Sequence, residues 1–126
     1  MKQIINTPHA PAPIGPYSQA VKAGNTLYVS GQIPLNPATG ELVMESIPVE
    51  TKQVMENLKA VLTEGGATFE NIVMTTIFLS DMGHFAVVNE VYGSYFESNF
   101  PARATVAVKT LPKNVNVEIS VIAVLG

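Results

Sequence analysis

With 126 residues, no cysteine and a net charge of −3, the chain is sized for one domain over residues 1–126, without disulfides or thiol chemistry. Only 13% of the residues are charged against 47% hydrophobic, about half the usual charged share of ~25%, so part of the surface is expected to be covered in a symmetric homo-oligomer. The absence of cysteine fits a cytoplasmic protein; no apolar run approaches the ~18 residues of a membrane helix, the N-terminus has no signal pattern, and no basic run is available to neutralise phosphates, which argues against nucleic-acid binding.

Taken in order, Lys2–Asn6 reads as a short strand, followed by an arm in which Pro8, Pro11, Pro13 and Pro16 exclude helix. Ala20–Ala23 and Thr26–Ile33 read as strands joined at the Gly24-Asn25 turn. Gly31 lies inside the second of them, which predicts a bulge or the close approach of another group. Val49–Glu64 is a predicted helix with Met55, Leu58, Val61 and Leu62 on one stripe and Gly65-Gly66 as its stop. A strand over Asn71–Leu79 follows, then a second helix that Asp81 would cap and that would run to about Phe96. Phe85, Val88, Tyr92 and Tyr95/Phe96 form its apolar stripe, with Asn89 beside it. Two last strands are expected after Pro101 and from Val115 to Val124, on either side of a turn at Leu111–Asn114. The order is β-β-β-α-β-α-β-β, an α+β domain with a mixed sheet and both helices packed on one face.

The chemistry concentrates in Phe100–Glu118. Alternation puts Arg103 and Thr105 on one face of their strand, and Asn116, Glu118 and Ser120 on one face of the next. A hairpin centred on the turn would set Thr105 opposite Glu118, with Arg103 one diagonal step away. Two readings follow. Arg103 and Glu118 form a structural ion pair, or the guanidinium fork receives a carboxylate while the glutamate handles water or a proton. An arginine neighbour would hold the Glu118 carboxyl low in pKa, favouring the role of base or water anchor. Two isolated histidines and no cysteine leave no metal set, and no nucleophile elbow, P-loop or dinucleotide fingerprint is present. The convergent polar set is Tyr17, Ser30-Gly31, Arg103, Thr105 and Glu118.

Those same stretches carry a resemblance. Ile14-Gly15-Pro16-Tyr17-Ser18-Gln19-Ala20, Ser30-Gly31-Gln32-Ile33-Pro34, Pro101-Ala102-Arg103 and Leu111-Pro112 through Val117-Glu118-Ile119 resemble the RidA (YjgF) family over essentially the whole chain. The resemblance implies a chorismate-mutase-like fold and a homotrimer with its sites at subunit interfaces. It implies 2-iminobutanoate/2-iminopropanoate deaminase activity without a cofactor, in which enamine/imine intermediates from pyridoxal-phosphate dehydratases become 2-oxo acids and ammonia. By the same resemblance Arg103 holds the substrate carboxylate, Glu118 orders or activates water and Tyr17 lines the pocket. Backbone groups at Gly31 and Thr105 complete the cradle, with Ser30 and Asn89 also assigned to substrate binding. Two positions depart from the family pattern: Thr105 stands where many members carry cysteine, and Glu50 where glutamine is often seen. A small-carboxylate regulatory module without turnover and an endoribonuclease are the alternative readings.

Overall fold

A serine and a proline set the first helix. In the computed structural model, which describes all 126 residues, Ser46 accepts a hydrogen bond from the Val49 N–H, and Pro48 sits in the first turn, where its missing N–H costs nothing. Helix α1 therefore spans Ile47–Glu64, starting two residues before the expected Val49. Its stripe is fully realised: Val54, Met55, Leu58, Val61 and Leu62 are all buried, each contributing about 1.5–3 kcal/mol of apolar transfer. Gly66 takes the positive φ of 82° that ends the helix.

The strands are β1 (Lys2–Ile5), β2 (Ala20–Ala23), β3 (Thr26–Gln32), β4 (Ile72–Leu79), β5 (Ala102–Ala107) and β6 (Val117–Val124). Helix α2 covers only Phe85–Gly93. The preceding Met82–His84 is a 3-10 turn, and it is this turn that Asp81 caps, accepting from the Gly83 N–H at 2.6 Å. Tyr95 and Phe96 thus lie beyond α2, where they join an aromatic cluster with Phe69, Tyr92 and Phe100. The order β-β-β-α-β-α-β-β and the α+β class are as expected. Both helices cover one face of a mixed six-stranded sheet of order β1-β2-β3-β6-β4-β5, in which only β4 and β5 run parallel.

The expected β5–β6 hairpin does not form. β4 lies between the two strands, pairing Phe78 with Glu118 on one side and Ile77 with Thr105 on the other. The physical reason lies in the two strands and in their connection. In β6, Val117, Ile119, Val121 and Ala123 are all buried, so it takes the centre of the sheet. β5 has no fully buried residue and occupies an edge. The connection from Val108 to Asn116 is longer than a hairpin loop, and its turn at Lys113 and Asn114, both at positive φ, redirects the chain across one strand. No helix is long and apolar enough to cross a membrane.

Candidate functional site

Arg103 leaves β5 on the helix-covered face, because its partner in β4 is the fully buried Thr75. There α2 meets it. Its Nη1 donates to Asn89 Oδ1 at 2.6 Å, and its guanidinium carbon lies 5.3 Å from the Tyr92 ring centre and 5.6 Å from that of Phe85. Tyr92 is itself fixed by donating to Thr75 Oγ1 at 2.9 Å. Burial raises the Tyr92 phenol above its ordinary pKa, outweighing the Thr75 bond and the Arg103 charge, which act downward. Arg103 faces a cavity of about 480 Å³ lined by Asn89, Tyr92, Gly93, Phe100 and Pro101. Thr105, next on the same face, buries a hydroxyl oxygen that has no hydrogen-bond partner.

Glu118 has a different setting. It pairs with Phe78, three residues along β4 from Thr75, and so projects from the open face of the sheet. The register of β3 against β6 shifts between Val29 and Gln32, a bulge at Gly31, and both halves of the glycine expectation hold. A Cβ on Gly31 would overlap the Glu118 carboxyl group, standing 2.8 Å from its Cδ. Burial raises the Glu118 carboxyl above its ordinary pKa, which reverses the expectation of a depressed value. Ser30 turns its hydroxyl to the Ser18 carbonyl at 2.6 Å. Tyr17, half exposed, lines a narrow cleft together with Gly31 and accepts from the Ile14 N–H at 3.3 Å. Gly31→Ala is expected to swing the Glu118 carboxyl aside at a cost of about 1–3 kcal/mol, as overpacking does. A crystal structure of the variant with an unmoved carboxyl would refute that.

The seven residues thus fall into two groups: Asn89, Arg103 and Thr105 on one face, and Tyr17, Ser30, Gly31 and Glu118 on the other. Arg103 and Glu118 sit two strands and three residues apart, roughly 14 Å between Cα atoms at standard sheet spacings, and point in opposite directions. The ion pair considered from sequence is absent within one chain; the partner of Arg103 is Asn89. Sequence reasoning missed two supports. Gln19, buried among the prolines, accepts from the Thr7 N–H at 2.6 Å and donates to the carbonyls of Thr7, Ala10 and Pro11, which pins the arm carrying Tyr17. A long amide inside a proline-rich arm was the available signal, since such an arm leaves carbonyls without strand partners. Phe85 and Tyr92 read as core, yet they also form the surface on which the guanidinium rests. No group of three His, Cys, Asp or Glu side chains gathers to hold a metal.

The profile of the family described as Endoribonuclease L-PSP matches residues 7–125. The chain belongs to the RidA family. It is 51% identical over 123 residues to a RutC family protein of Pyrococcus horikoshii, covering 98% of each chain. It is 47% identical over 126 residues to a protein of Mus musculus named 2-iminobutanoate/2-iminopropanoate deaminase, covering all of this chain and 93% of the mouse one. Among solved structures, a putative endoribonuclease of Thermotoga maritima superposes with a TM-score of 0.97 at 52% identity, covering 100% of this chain and 99% of that one. The RidA fold accounts for the two helices on one face of the sheet, and leaves the opposite face bare.

Proposed function

We propose that this RidA-family protein hydrolyses 2-iminobutanoate and 2-iminopropanoate to the 2-oxo acids and ammonia, as a homotrimer whose sites form between subunits. The observation that carries the reading is Arg103: a guanidinium held in place by an amide oxygen and two aromatic rings, rather than by a carboxylate of its own chain, at the mouth of a cavity. Its planar fork matches a substrate carboxylate. The deaminase name of the mouse relative points to the same chemistry.

The reaction adds water across a C=N bond and expels ammonia. Glu118, whose proton is retained to higher pH by burial, suits protonation of the imine nitrogen, after which its carboxylate can take the proton from the attacking water. Glu118 returns that proton to the carbinolamine nitrogen, the C–N bond breaks to release ammonia, and the Glu118 carboxylate takes the hydroxyl proton as the C=O bond forms, which restores its starting state. The main-chain N–H groups of Gly31 and Thr105 suit the carboxylate and the developing oxygen, and Tyr17 the pocket wall.

Because Arg103 and Glu118 diverge within one chain, a second copy has to bring its Glu118 face against the first copy's Arg103. The open sheet face supports such a contact, since Ile4, Tyr28 and Val106 stand exposed on it and charges are scarce. Joining two different patches is a head-to-tail contact, which forms a ring when its rotation closes; the family resemblance favours three members. Sedimentation is expected to give about three times the 13.4 kDa chain mass, and an active monomer would overturn the interface site. Activity is tested by coupling the protein to a threonine dehydratase and following ammonia release. Acceleration supports the hydrolase; saturable binding of 2-oxo acids without acceleration supports a regulatory module instead. Only seven lysines and arginines and a net charge of −3 weigh against ribonuclease action.

A further inference from the structure

Glu50 is the only acidic side chain that is fully buried. It lies in the first turn of α1, where the helix dipole favours an anion, and its carboxylate reaches across to the start of β6. Oε2 accepts from the main-chain N–H groups of Asn116 at 2.6 Å and Val117 at 3.2 Å, and Oε1 accepts from Asn116 Nδ2 at 3.0 Å. Asn116 Oδ1 accepts in turn from the Ser80 hydroxyl at 2.7 Å, while the Ser80 N–H donates to the Asn116 carbonyl at 3.0 Å. One point therefore ties together the start of α1, the end of β4 and the entry of β6. β3 pairs with β6 no nearer than Ile119, so the carboxylate takes the place of a strand for these two N–H groups.

We propose that Glu50 is a positioning residue for Glu118, fixing the entry of β6 so that the Glu118 carboxyl lies over Gly31. The inference rests on the imine-hydrolase reading for its catalytic consequence, though not for its geometry. The Val117 N–H that Glu50 holds is one residue upstream of Glu118, and the clearance at Gly31 is too small for a single added methyl. Charge-assisted bonds are shorter and stronger than neutral ones. The entry of β6 cannot drift from α1 without stranding a buried charge, which is heavily penalised. An apolar contact would tolerate sliding; this one does not. Supports of this kind keep catalytic groups within the narrow tolerance that chemistry requires.

Glutamine can replace Glu50 by reversing the network. Its Oε1 accepts the two main-chain N–H groups, its Nε2 donates to Asn116 Oδ1 after that amide flips, and the Ser80 hydroxyl accepts from Asn116 Nδ2. Alanine can do none of this.

The test compares the wild type, Glu50→Gln, Glu50→Ala and Val61→Ala, the last removing core volume from the same helix about three turns from Glu50. Carbon-13 NMR follows the titration of the Glu118 carboxyl, and the dehydratase-coupled assay gives kcat and KM. In Glu50→Ala the freed carboxyl is expected to titrate lower, toward the ordinary carboxylate range. Its kcat is expected to fall by up to about a hundredfold, with KM within a few-fold. Glu50→Gln is expected to match the wild type in both readouts, and Val61→Ala to lose only thermal stability. An unchanged Glu118 titration in Glu50→Ala overturns the proposal, as does a kcat loss in Val61→Ala equal to that of Glu50→Ala. Should Glu50→Ala not fold, Glu50→Asp, whose carboxylate is one methylene short, carries the same test. A wild type without imine hydrolysis removes the functional reading, while the titration alone still decides whether Glu50 positions Glu118.

Discussion

Arg103→Ala is expected to abolish most 2-oxo acid binding while leaving the fold intact. A charge-assisted bond from a guanidinium to a carboxylate contributes about 2–3 kcal/mol, so affinity measured by calorimetry should drop by roughly one to two orders of magnitude. The structural cost is small, because what Arg103 gives the protein itself is an exposed bond to Asn89 and stacking on Tyr92 and Phe85, about 1 kcal/mol for the stacking at such a site. Arg103→Lys should recover little. An ammonium cannot present two parallel N–H groups to a carboxylate, nor can it lie flat on two rings. Full binding by the alanine variant would remove Arg103 from ligand capture.

Glu118→Gln is expected to show the complementary defect, with binding near that of the wild type and kcat down about a hundredfold or more, the usual scale of a lost general acid–base group. Stability separates this from a structural role. Burial raises the pKa of Glu118 in the folded protein, so its contribution is fullest below the unfolded carboxylate value and is lost as pH rises through the folded one. Glutamine does not titrate. The variant should therefore be at least as stable as the wild type at neutral pH, with the advantage vanishing in acid. A buried ion pair predicts the opposite, a loss of about 3–5 kcal/mol on removing one partner. Mixing the two variants tests the interface directly. Co-expressed Arg103→Ala and Glu118→Gln subunits assort at random, so about a quarter of the junctions in a closed ring should carry both intact groups. Activity restored to that level is the expected outcome, and none at all would mean that each site is built from one chain.

The elements themselves were legible because each rests on local rules. The stripe of Met55, Leu58, Val61 and Leu62, the Gly65-Gly66 stop and the alternation in Val117–Val124 follow from periodicity and from turn residues. Gly31 was legible too, since a glycine in a strand announces that something approaches it, and the Glu118 carboxyl does. The end of α2 was not. Nothing in the stripe through Phe96 reveals that the chain leaves the helix at Gly93 to pack its aromatics against Phe69.

The sequence by itself determined which face of its strand each candidate residue in β5 and β6 occupies, since period-two alternation requires no knowledge of neighbours. Strand order was decided only by the tertiary structure. Pairing depends on which strand can bury both of its edges, a property of the whole sheet. β6 went to the centre, β4 came between it and β5, and Arg103 and Glu118 were set on opposite faces. The buried Glu50 clamp was decided in the same way. A lone acid early in a helix is ordinary in sequence, and it became a joint only when α1 was laid against the N–H groups of Asn116 and Val117.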